Sequence, residues 1–486
     1  MNIESFPLAL SYDDVLLVPQ RSPVASRGDV DTTGHLTPRI ALRAPIVAAN
    51  MDTVTEAPMA IAIARAGGIG VIHRFLTIDQ QVSEVARTKR AEALVIDDPF
   101  TVRPDVPLQD ALDVMSVHGT GGLVVIDEDR RPLGMVTRRD TLLRDDLTIP
   151  VATVMSPRER LVVAPADIDE DEAAVLLRDE RIEKLPLIDA DGRLAGLITM
   201  RDLLQRKERP TATKDGRGRL SVAAAIGVRG DHLERARALV DAGADALVLD
   251  IAHGHMEQAL EAVAAVSALV APVEVIAGNV ATAEGARDLI AAGAKAIKVG
   301  VGPGSACSTR VVAGVGVPQF TAVRECAEAC REHGIPVVAD GGIRAGGDVA
   351  KAIGAGADTV MVGNLLAGST ESPGTVVSRG GARVKVFRGM ASAGAAAARR
   401  AIDGDPQDAL ARGDQTEFSP IVPEGVEAVV PLRGSAADVV GELVGGLRSG
   451  MSYSNATTIR EMQERARFVR ITSAGLRESH PHDVTM

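Results

Sequence analysis

The sequence predicts an α/β fold, a parallel (β/α)8 (TIM) barrel interrupted by an inserted pair of repeats. Three observations predict it. Short runs of Ala, Val, Ile and Leu alternate with Ala-rich helical runs in two stretches, one before residue 90 and one after residue 220. Hydrophobic residues make up 46% of the chain but aromatics only 2%, with no Trp, so the core is built from small aliphatic side chains that suit strands buried on both faces. Between the two stretches the rhythm changes to an internal repeat.

The first stretch holds an apolar run at 45–49, a helix over 59–66 and a second apolar run at 70–72. The second stretch predicts strands at 223–228, 246–250, 273–277, 296–299, 336–339 and 359–362. Helices fall between them, among them 231–242, 255–270 and 283–292. Gly243, Gly293, Gly334 and Gly356 stand where these helices end, the favoured residue just past a helix C-terminus. Two strands and six make eight βα units, which closes a barrel. Chemistry in such a barrel sits where strands end, and Asp250, Asn279, Cys307, Asp340-Gly341-Gly342 and Gly363-Asn364 all follow strand ends.

Residues 95–143 and 154–205 form the repeat. Gly134-Met135-Val136-Thr137-Arg138-Arg139-Asp140 matches Gly196-Leu197-Ile198-Thr199-Met200-Arg201-Asp202. Each copy has an earlier apolar strand, at 123–126 or 185–188, followed by an acidic turn. The pair resembles a tandem of CBS modules, a Bateman pair. The resemblance implies that Thr137, Asp140, Thr199 and Asp202 contact the ribose of a regulatory adenine or guanine nucleotide. The expected division is 1–92 and 207–486 for the barrel and 93–206 for the repeat pair.

At 486 residues the chain exceeds one core. A net charge of −12 with no basic stripe argues against a nucleic-acid surface. No apolar run reaches membrane-spanning length and no leader is evident, so a cytoplasmic protein without a membrane partner is expected. Three cysteines, Cys307, Cys326 and Cys330, do not make a disulfide framework. Cys326 and Cys330 lie four apart in a helical segment without His or Asp partners, which disfavours a metal site.

Cys307 lies in Gly300-Val301-Gly302-Pro303-Gly304-Ser305-Ala306-Cys307-Ser308-Thr309-Arg310, just after the strand at 296–299. Glycines and a serine offer amides and a hydroxyl to an anion such as phosphate. A thiol beside them can attack an electrophilic carbon of the same ligand. Thr309 and Arg310 are placed to relay protons for that attack or tune the thiol.

The ordered motifs Leu10-Ser11-Tyr12-Asp13-Asp14-Val15, Met51-Asp52-Thr53-Val54-Thr55-Glu56, Asp250-Ile251-Ala252-His253-Gly254-His255, Gly278-Asn279-Val280, Asp340-Gly341-Gly342, Arg388-Gly389-Met390, Pro423-Glu424-Gly425 and Glu478-Ser479-His480-Pro481-His482-Asp483 run from end to end of the chain. With the Cys307 loop they resemble the IMP dehydrogenase/GMP reductase family. The resemblance implies oxidoreductase chemistry at C2 of a purine nucleotide monophosphate through a thioimidate on Cys307. It assigns Thr309 and Glu424 to proton transfer. It assigns Ser305, Asp340, Gly342, Gly363, Asn364, Met390 and Gly425 to the nucleotide, with Asp340 on the ribose hydroxyls and Ser305, Gly342 and Gly363 on the 5′-phosphate. Asp250, Asn279, Gly300 and Gly302 fall to the nicotinamide cofactor, NAD or NADPH. Carbonyls of Gly302, Gly304 and Cys307 would bind potassium (K+), helped by Glu478, Ser479 and His480 of a neighbouring subunit, which implies a homotetramer or octamer.

The chain also departs from the family pattern. Family dehydrogenases carry an Arg-Tyr pair on a flap between the Arg-Gly-Met and Pro-Glu-Gly motifs, and the arginine activates water. Here residues 391–422 contain Arg399, Arg400 and Arg412, none followed by Tyr, and the only tyrosines are Tyr12 and Tyr453. Asn50 resembles reductases, where dehydrogenases have a small apolar residue. Phe387 stands where Tyr is usual, Asn364 where Ser is usual and Ser308 where Thr is usual. Against this, short reductases lack both the repeat pair and a long flap. The Pro423-Glu424-Gly425 context and the Glu478-Ser479-His480 segment also look more like a dehydrogenase, and on chain-wide similarity and flap length the expectation is IMP dehydrogenase, making XMP from IMP, with GMP reductase as the alternative. Two other classes are a non-catalytic nucleotide sensor, opposed by the intact Cys307 and Thr309, and an FMN-dependent oxidase, in which the Cys307 loop has no role.

Overall fold

The computed structural model describes residues 6–92, 95–142, 144–208, 210–403 and 422–481. The chain divides into two compact units. One comprises Met1–Ala91, Thr211–Asp215 and Leu220–Met486, the other Glu92–Pro210 with Gly216–Arg219.

The larger unit is a closed barrel of eight parallel strands, β1 (Ile46–Ala48), β2 (Ile69–Ile72), β3 (Val222–Ile226), β4 (Ala246–Asp250), β5 (Glu274–Val280), β6 (Ala296–Val299), β7 (Val337–Asp340) and β8 (Thr359–Val362). Each strand pairs with its neighbour in sequence, and β8 closes on β1 through Val360 opposite Ile46. The predicted strands all form. The fifth runs on through Gly278 to Val280, with a register shift against β6 between Gly278 and Val280.

Successive side chains on a strand point to opposite faces. The inward set is Val47, Ile69, Val71, Ala223, Ala225, Ala246, Val248, Ile276, Ala296, Val338 and Met361, all buried and in one cluster. Many are alanines, which lets a narrow interior fill without strain. The outward set, such as Ile297, Val299, Val337 and Ala339, packs on the surrounding helices. Leu36 and Leu42, from the hairpin of Gly34–Thr37 and Ile40–Leu42, join the interior cluster. The same alternation carries polar residues inward at the C-terminal strand ends. Ala246 and Val248 lead to Asp250, Ala296 leads to Lys298, and Val338 leads to Asp340.

The helices include α1 (Ala57–Arg65), α2 (Ile78–Arg90), α3 (His232–Asp241), α4 (Glu257–Val270), α5 (Ala283–Ala291), α6 (Gln319–Arg331), α7 (Gly346–Gly354), α8 (Ala393–Asp403) and α9 (Ala436–Tyr453), and the predicted segments 59–66, 231–242, 255–270 and 283–292 fall on α1, α3, α4 and α5. The first begins two residues early because Pro58 fits the opening turn of a helix, where its missing N–H costs nothing. Gly243, Gly293, Gly334 and Gly356 all have positive φ, as the left-handed helix end requires. Cys326 and Cys330 are buried within α6, and burial pushes both thiols up, that of Cys330 to about 12. They are core residues. Among the described residues no cluster of His, Cys, Asp or Glu could hold a metal ion, and no helix is long and apolar enough to cross a membrane.

A three-stranded antiparallel sheet, Val376–Arg379, Ala382–Arg388 and Glu427–Pro431, follows the barrel, with Arg388 opposite Glu427. It brings the segments before and after residues 391–422 side by side. Of that stretch, α8 includes the expected helix near 395–400. The side chains of Arg399 and Arg400, and all of Arg412, lie outside the described residues.

The second unit contains the repeat. One copy has a sheet of Thr101–Val102, Gly122–Ile126, Pro132–Thr137 and Ser156–Pro157, the other Ala164–Pro165, Lys184–Ile188 and Leu194–Thr199. Each has its own apolar core, and Val124, Ile126, Met135, Leu194 and Leu197 form a third core shared by the two copies.

Candidate active site

The Cys307 loop leaves β6 at Gly300. A Cβ there would fall 2.1 Å from the Asp340 carbonyl oxygen, and φ is +151°, so only glycine fits. Asn279 Nδ2 donates to the Gly300 carbonyl at 2.8 Å, and the Gly300 amide donates to the Val280 carbonyl at 2.9 Å. The loop's origin is thus fixed by β5 and β7.

Its far end is fixed by the segments flanking the 391–422 stretch. Cys307 bridges to Gly425. Ser308 N donates to the Glu424 carbonyl at 2.8 Å, and Val426 N donates to the Ala306 carbonyl at 2.9 Å. Gly389 N donates to the Val426 carbonyl at 3.0 Å, and Glu424 N to the Ala391 carbonyl at 3.1 Å. Arg388 is tied to Asp52 by an ion pair that uses both Nε and Nη2. Residues more than a hundred positions apart therefore meet at Cys307, with half-buried Met390 next to Gly389. The Cys307 thiol is exposed and its Sγ–H donates to Thr309 Oγ1 at 3.2 Å. Arg310 instead donates to the Val317 carbonyl at 2.7 Å, its stem lying along Gly302.

Asn364 Nδ2 donates to Ser305 Oγ at 3.0 Å, so the loop and the start of the short helix after β8 are joined through two of the predicted phosphate residues. Gly363 is the residue before that helix. Gly342 has φ +82° and lies against the ring of buried Tyr12, whose edge would be 3.2 Å from a Cβ at this position. Phe387 is buried.

Three inward residues form a polar knot. Lys298 Nζ donates to Asp340 Oδ2 at 2.7 Å and to Asn279 Oδ1, and Asn279 Nδ2 donates to Asp340 Oδ2 at 2.9 Å. Asn279, expected on the cofactor side, and Asp340, expected on the ribose side, are thus directly bonded to each other. Asp250 accepts from Arg74 Nε at 3.1 Å and is hydrogen-bonded by Asn50. Burial pushes its carboxyl above the ordinary range, opposed by the Lys298 charge and the Asn50 hydrogen bond. Beside it, His73 is buried, accepts from Phe75 N at 3.2 Å through Nδ1, and approaches Glu56 at 3.5 Å through Nε2.

Sequence reasoning assigned no role to Lys298, Arg74 or the Asp52–Arg388 pair. The signals were present: a lysine inside an apolar run, and a His-Arg pair directly after a strand. Gly302 has φ +87°, and the Gly304 carbonyl accepts the Cys307 amide at 3.0 Å. Glu478, Ser479 and His480 belong to or follow the helix Ser473–Glu478, which packs beside Tyr12–Asp14, and Ser479 Oγ donates to the Gly475 carbonyl at 2.8 Å. His482 and Asp483 lie outside the described residues. In the second unit, Thr137 Oγ1 donates to Asp140 Oδ2 at 2.7 Å and Thr199 Oγ1 to Asp202 Oδ2 at 2.5 Å.

The family model described as "IMP dehydrogenase / GMP reductase domain" matches residues 9–482. An inosine-5′-monophosphate dehydrogenase of Aquifex aeolicus is 52% identical over 98% of this chain and 95% of its own length. A GMP reductase of Leishmania donovani is 47% identical over 100% of this chain and 99% of its own. A crystal structure of a variant GMP reductase from Trypanosoma brucei with guanosine 5′-monophosphate superposes with a TM-score of 0.93 at 45% identity, covering 99% of both chains. With a closed eight-stranded barrel, a cysteine loop at the end of its sixth strand and a family match over nearly all its length, the chain belongs to the IMP dehydrogenase/GMP reductase family.

Proposed function

We propose that the protein is a GMP reductase, converting GMP and NADPH to IMP, ammonia and NADP. The observation that carries the reading is the stretch 391–422, which holds no Arg-Tyr pair to activate water. The expectation of a dehydrogenase rested on chain-wide similarity and flap length. The Leishmania donovani reductase aligns over its full length with this chain, so those features do not separate the two activities. Asn50, bonded to Asp250, adds to the reductase reading.

The site fits a purine nucleotide. Ser305 with Asn364 offers polar groups to the phosphate. Among the described residues no donor bonds Asp340 Oδ1, which is open to the ribose hydroxyls. Cys307 sulfur forms a bond to C2 of the base as its proton passes toward Thr309 Oγ. Thr309 and Glu424 together return a proton to the 2-amino group, and the C2–N bond breaks to release ammonia. The nicotinamide, when bound beside Asp250 and Asn279, supplies a hydride to C2. The C2–S bond then breaks, and the released Cys307 thiolate takes up a proton to restore the thiol. The sum consumes GMP, NADPH and two protons and yields IMP, ammonium and NADP.

A monovalent cation such as K+ would rest on the carbonyls of Gly302, Gly304 and Cys307, a donor set that suits a hard ion, with Glu478, Ser479 and His480 of a neighbouring subunit in a homotetramer. The repeat pair would hold a regulatory nucleotide through Thr137, Asp140, Thr199 and Asp202. A second reading, IMP dehydrogenase, is favoured by the 52% identity to the Aquifex aeolicus enzyme. Separate incubation with GMP plus NADPH and with IMP plus NAD tests the choice. Loss of NADPH with release of ammonia is expected; NADH formed together with XMP would overturn it.

A further inference from the structure

Lys298 is a buried ionisable group that this reaction leaves without a task. It sits inside β6, flanked by Ile297 and Val299, with its side chain 3% exposed. A lysine in such a place needs paired acceptors, because an ammonium loses its hydration on burial. It finds one on each flank. Asp340 at the end of β7 and Asn279 on β5 both accept from Nζ.

The arrangement fixes two side chains. Asn279 Oδ1 takes the lysine, while its Nδ2 serves the Gly300 carbonyl and Asp340. The amide therefore has one orientation. On Asp340 both donors fall on Oδ2, so the carboxylate is locked about its last torsion with Oδ1 held in a fixed direction. A charge-assisted bond on one oxygen leaves the other as the acceptor available to a ligand. Lys298 also places a positive charge near Asp250, in addition to the one that Arg74 supplies there.

We propose that Lys298 is a positioning residue that aims Asp340 at the nucleotide's ribose and so sets the preference for ribonucleotides over 2′-deoxyribonucleotides. The proposal rests on the reading of Asp340 as the ribose acceptor. A site built around a hydroxyl rejects the analogue that lacks it, because the buried acceptor is left unpaired. That rejection needs the acceptor to be held still.

The test is calorimetric binding of GMP and of 2′-deoxy-GMP to the full-length protein, with melting temperatures as a control. The native protein should favour GMP by about 10-fold or more. Lys298→Met should weaken GMP by about 10- to 100-fold and bring the ratio of the two constants close to unity. Lys298→Arg should keep most of the preference. Asn279→Ala, which removes one of the two donors on Oδ2, should lower the ratio by a smaller factor and serves if Lys298→Met does not fold. Asp340→Ala separates the two claims. If it abolishes the preference while Lys298→Met and Asn279→Ala leave the ratio intact, the lysine proposal alone fails. If Asp340→Ala also leaves the ratio intact, the ribose assignment fails first. Equal weakening of both ligands by Lys298→Met would mark a merely structural lysine and overturn the proposal.

Discussion

The barrel mouth and the repeat pair hold their polar residues in opposite ways. At the mouth, Asp340, Asn279, Lys298 and the Cys307 loop are joined by contacts between residues far apart in sequence. In the repeats, Thr137 with Asp140 and Thr199 with Asp202 are bonded three residues apart, each pair closing the first turn of its own helix. The first arrangement exists only in the finished barrel. The second forms with one turn of helix and satisfies its own donors. A Thr-x-x-Asp motif therefore shows where a helix starts, and says less about a ligand than a glycine that admits no side chain or a lysine buried among carboxylates.

This contrast predicts that changes at the mouth affect turnover far more than changes in the repeats. The largest effect should come from Cys307→Ala, which removes the nucleophile. Turnover should fall by at least about 10⁴-fold, while calorimetry shows GMP affinity within about 3-fold of native, because phosphate and ribose are held elsewhere. Residual turnover near the native rate would sink the covalent route. Glu424→Gln should lower kcat by about 10²- to 10⁴-fold with little change in KM. Thr309→Ala should act similarly, and the double variant should be no worse than the poorer single one, as for groups in one relay.

Gly300→Ala comes next and is read as stability. With a Cβ 2.1 Å from a carbonyl oxygen and φ at +151°, either the loop or β7 must move. A loss of about 3 kcal/mol in urea unfolding is expected. Native-like stability would show that the loop's origin is slack and that the mouth is less tightly built than the contrast requires.

Much of this was legible before any coordinates. Short apolar runs and helix-ending glycines place the strands and helices, because both are local signals. Strand ends then mark Asp250, Asn279 and Asp340. Lys298 stood out in the sequence only as a lysine inside an apolar run. Its meaning appears only when parity turns it inward and closure of the barrel sets β5 and β7 on either side. Arg74 escaped for the same reason, its partner Asp250 being supplied by β4, 176 positions later. The link between Asn279 and Asp340 needed the register of three adjacent strands, which no local signal carries.

Within the repeats the expected effects are smaller. Thr199→Ala and Thr137→Ala each remove one helix-start hydrogen bond and should cost about 1 kcal/mol of the second unit's stability, with basal turnover unchanged. A collapse in turnover would show that these residues reach the reaction.

The smallest effect concerns Asp202, and its sign is fixed. Burial raises its carboxyl above the ordinary range, against the Thr199 hydrogen bond and the nearby Arg201 charge. The folded state therefore holds this proton to higher pH than the unfolded chain does. Its stabilising contribution is fully present below the unfolded value and is lost as pH rises through the folded one. At neutral pH the half-buried carboxylate is a small liability, and Asp202→Asn, which can still accept from the Thr199 hydroxyl, should relieve it. Urea unfolding should show the variant more stable by no more than about 1 kcal/mol at pH 7, with the difference shrinking below the carboxylate range. A less stable variant at neutral pH would mean that the carboxylate is held for a partner's benefit, and would place the repeats closer to the barrel mouth in design than their local hydrogen bonds suggest.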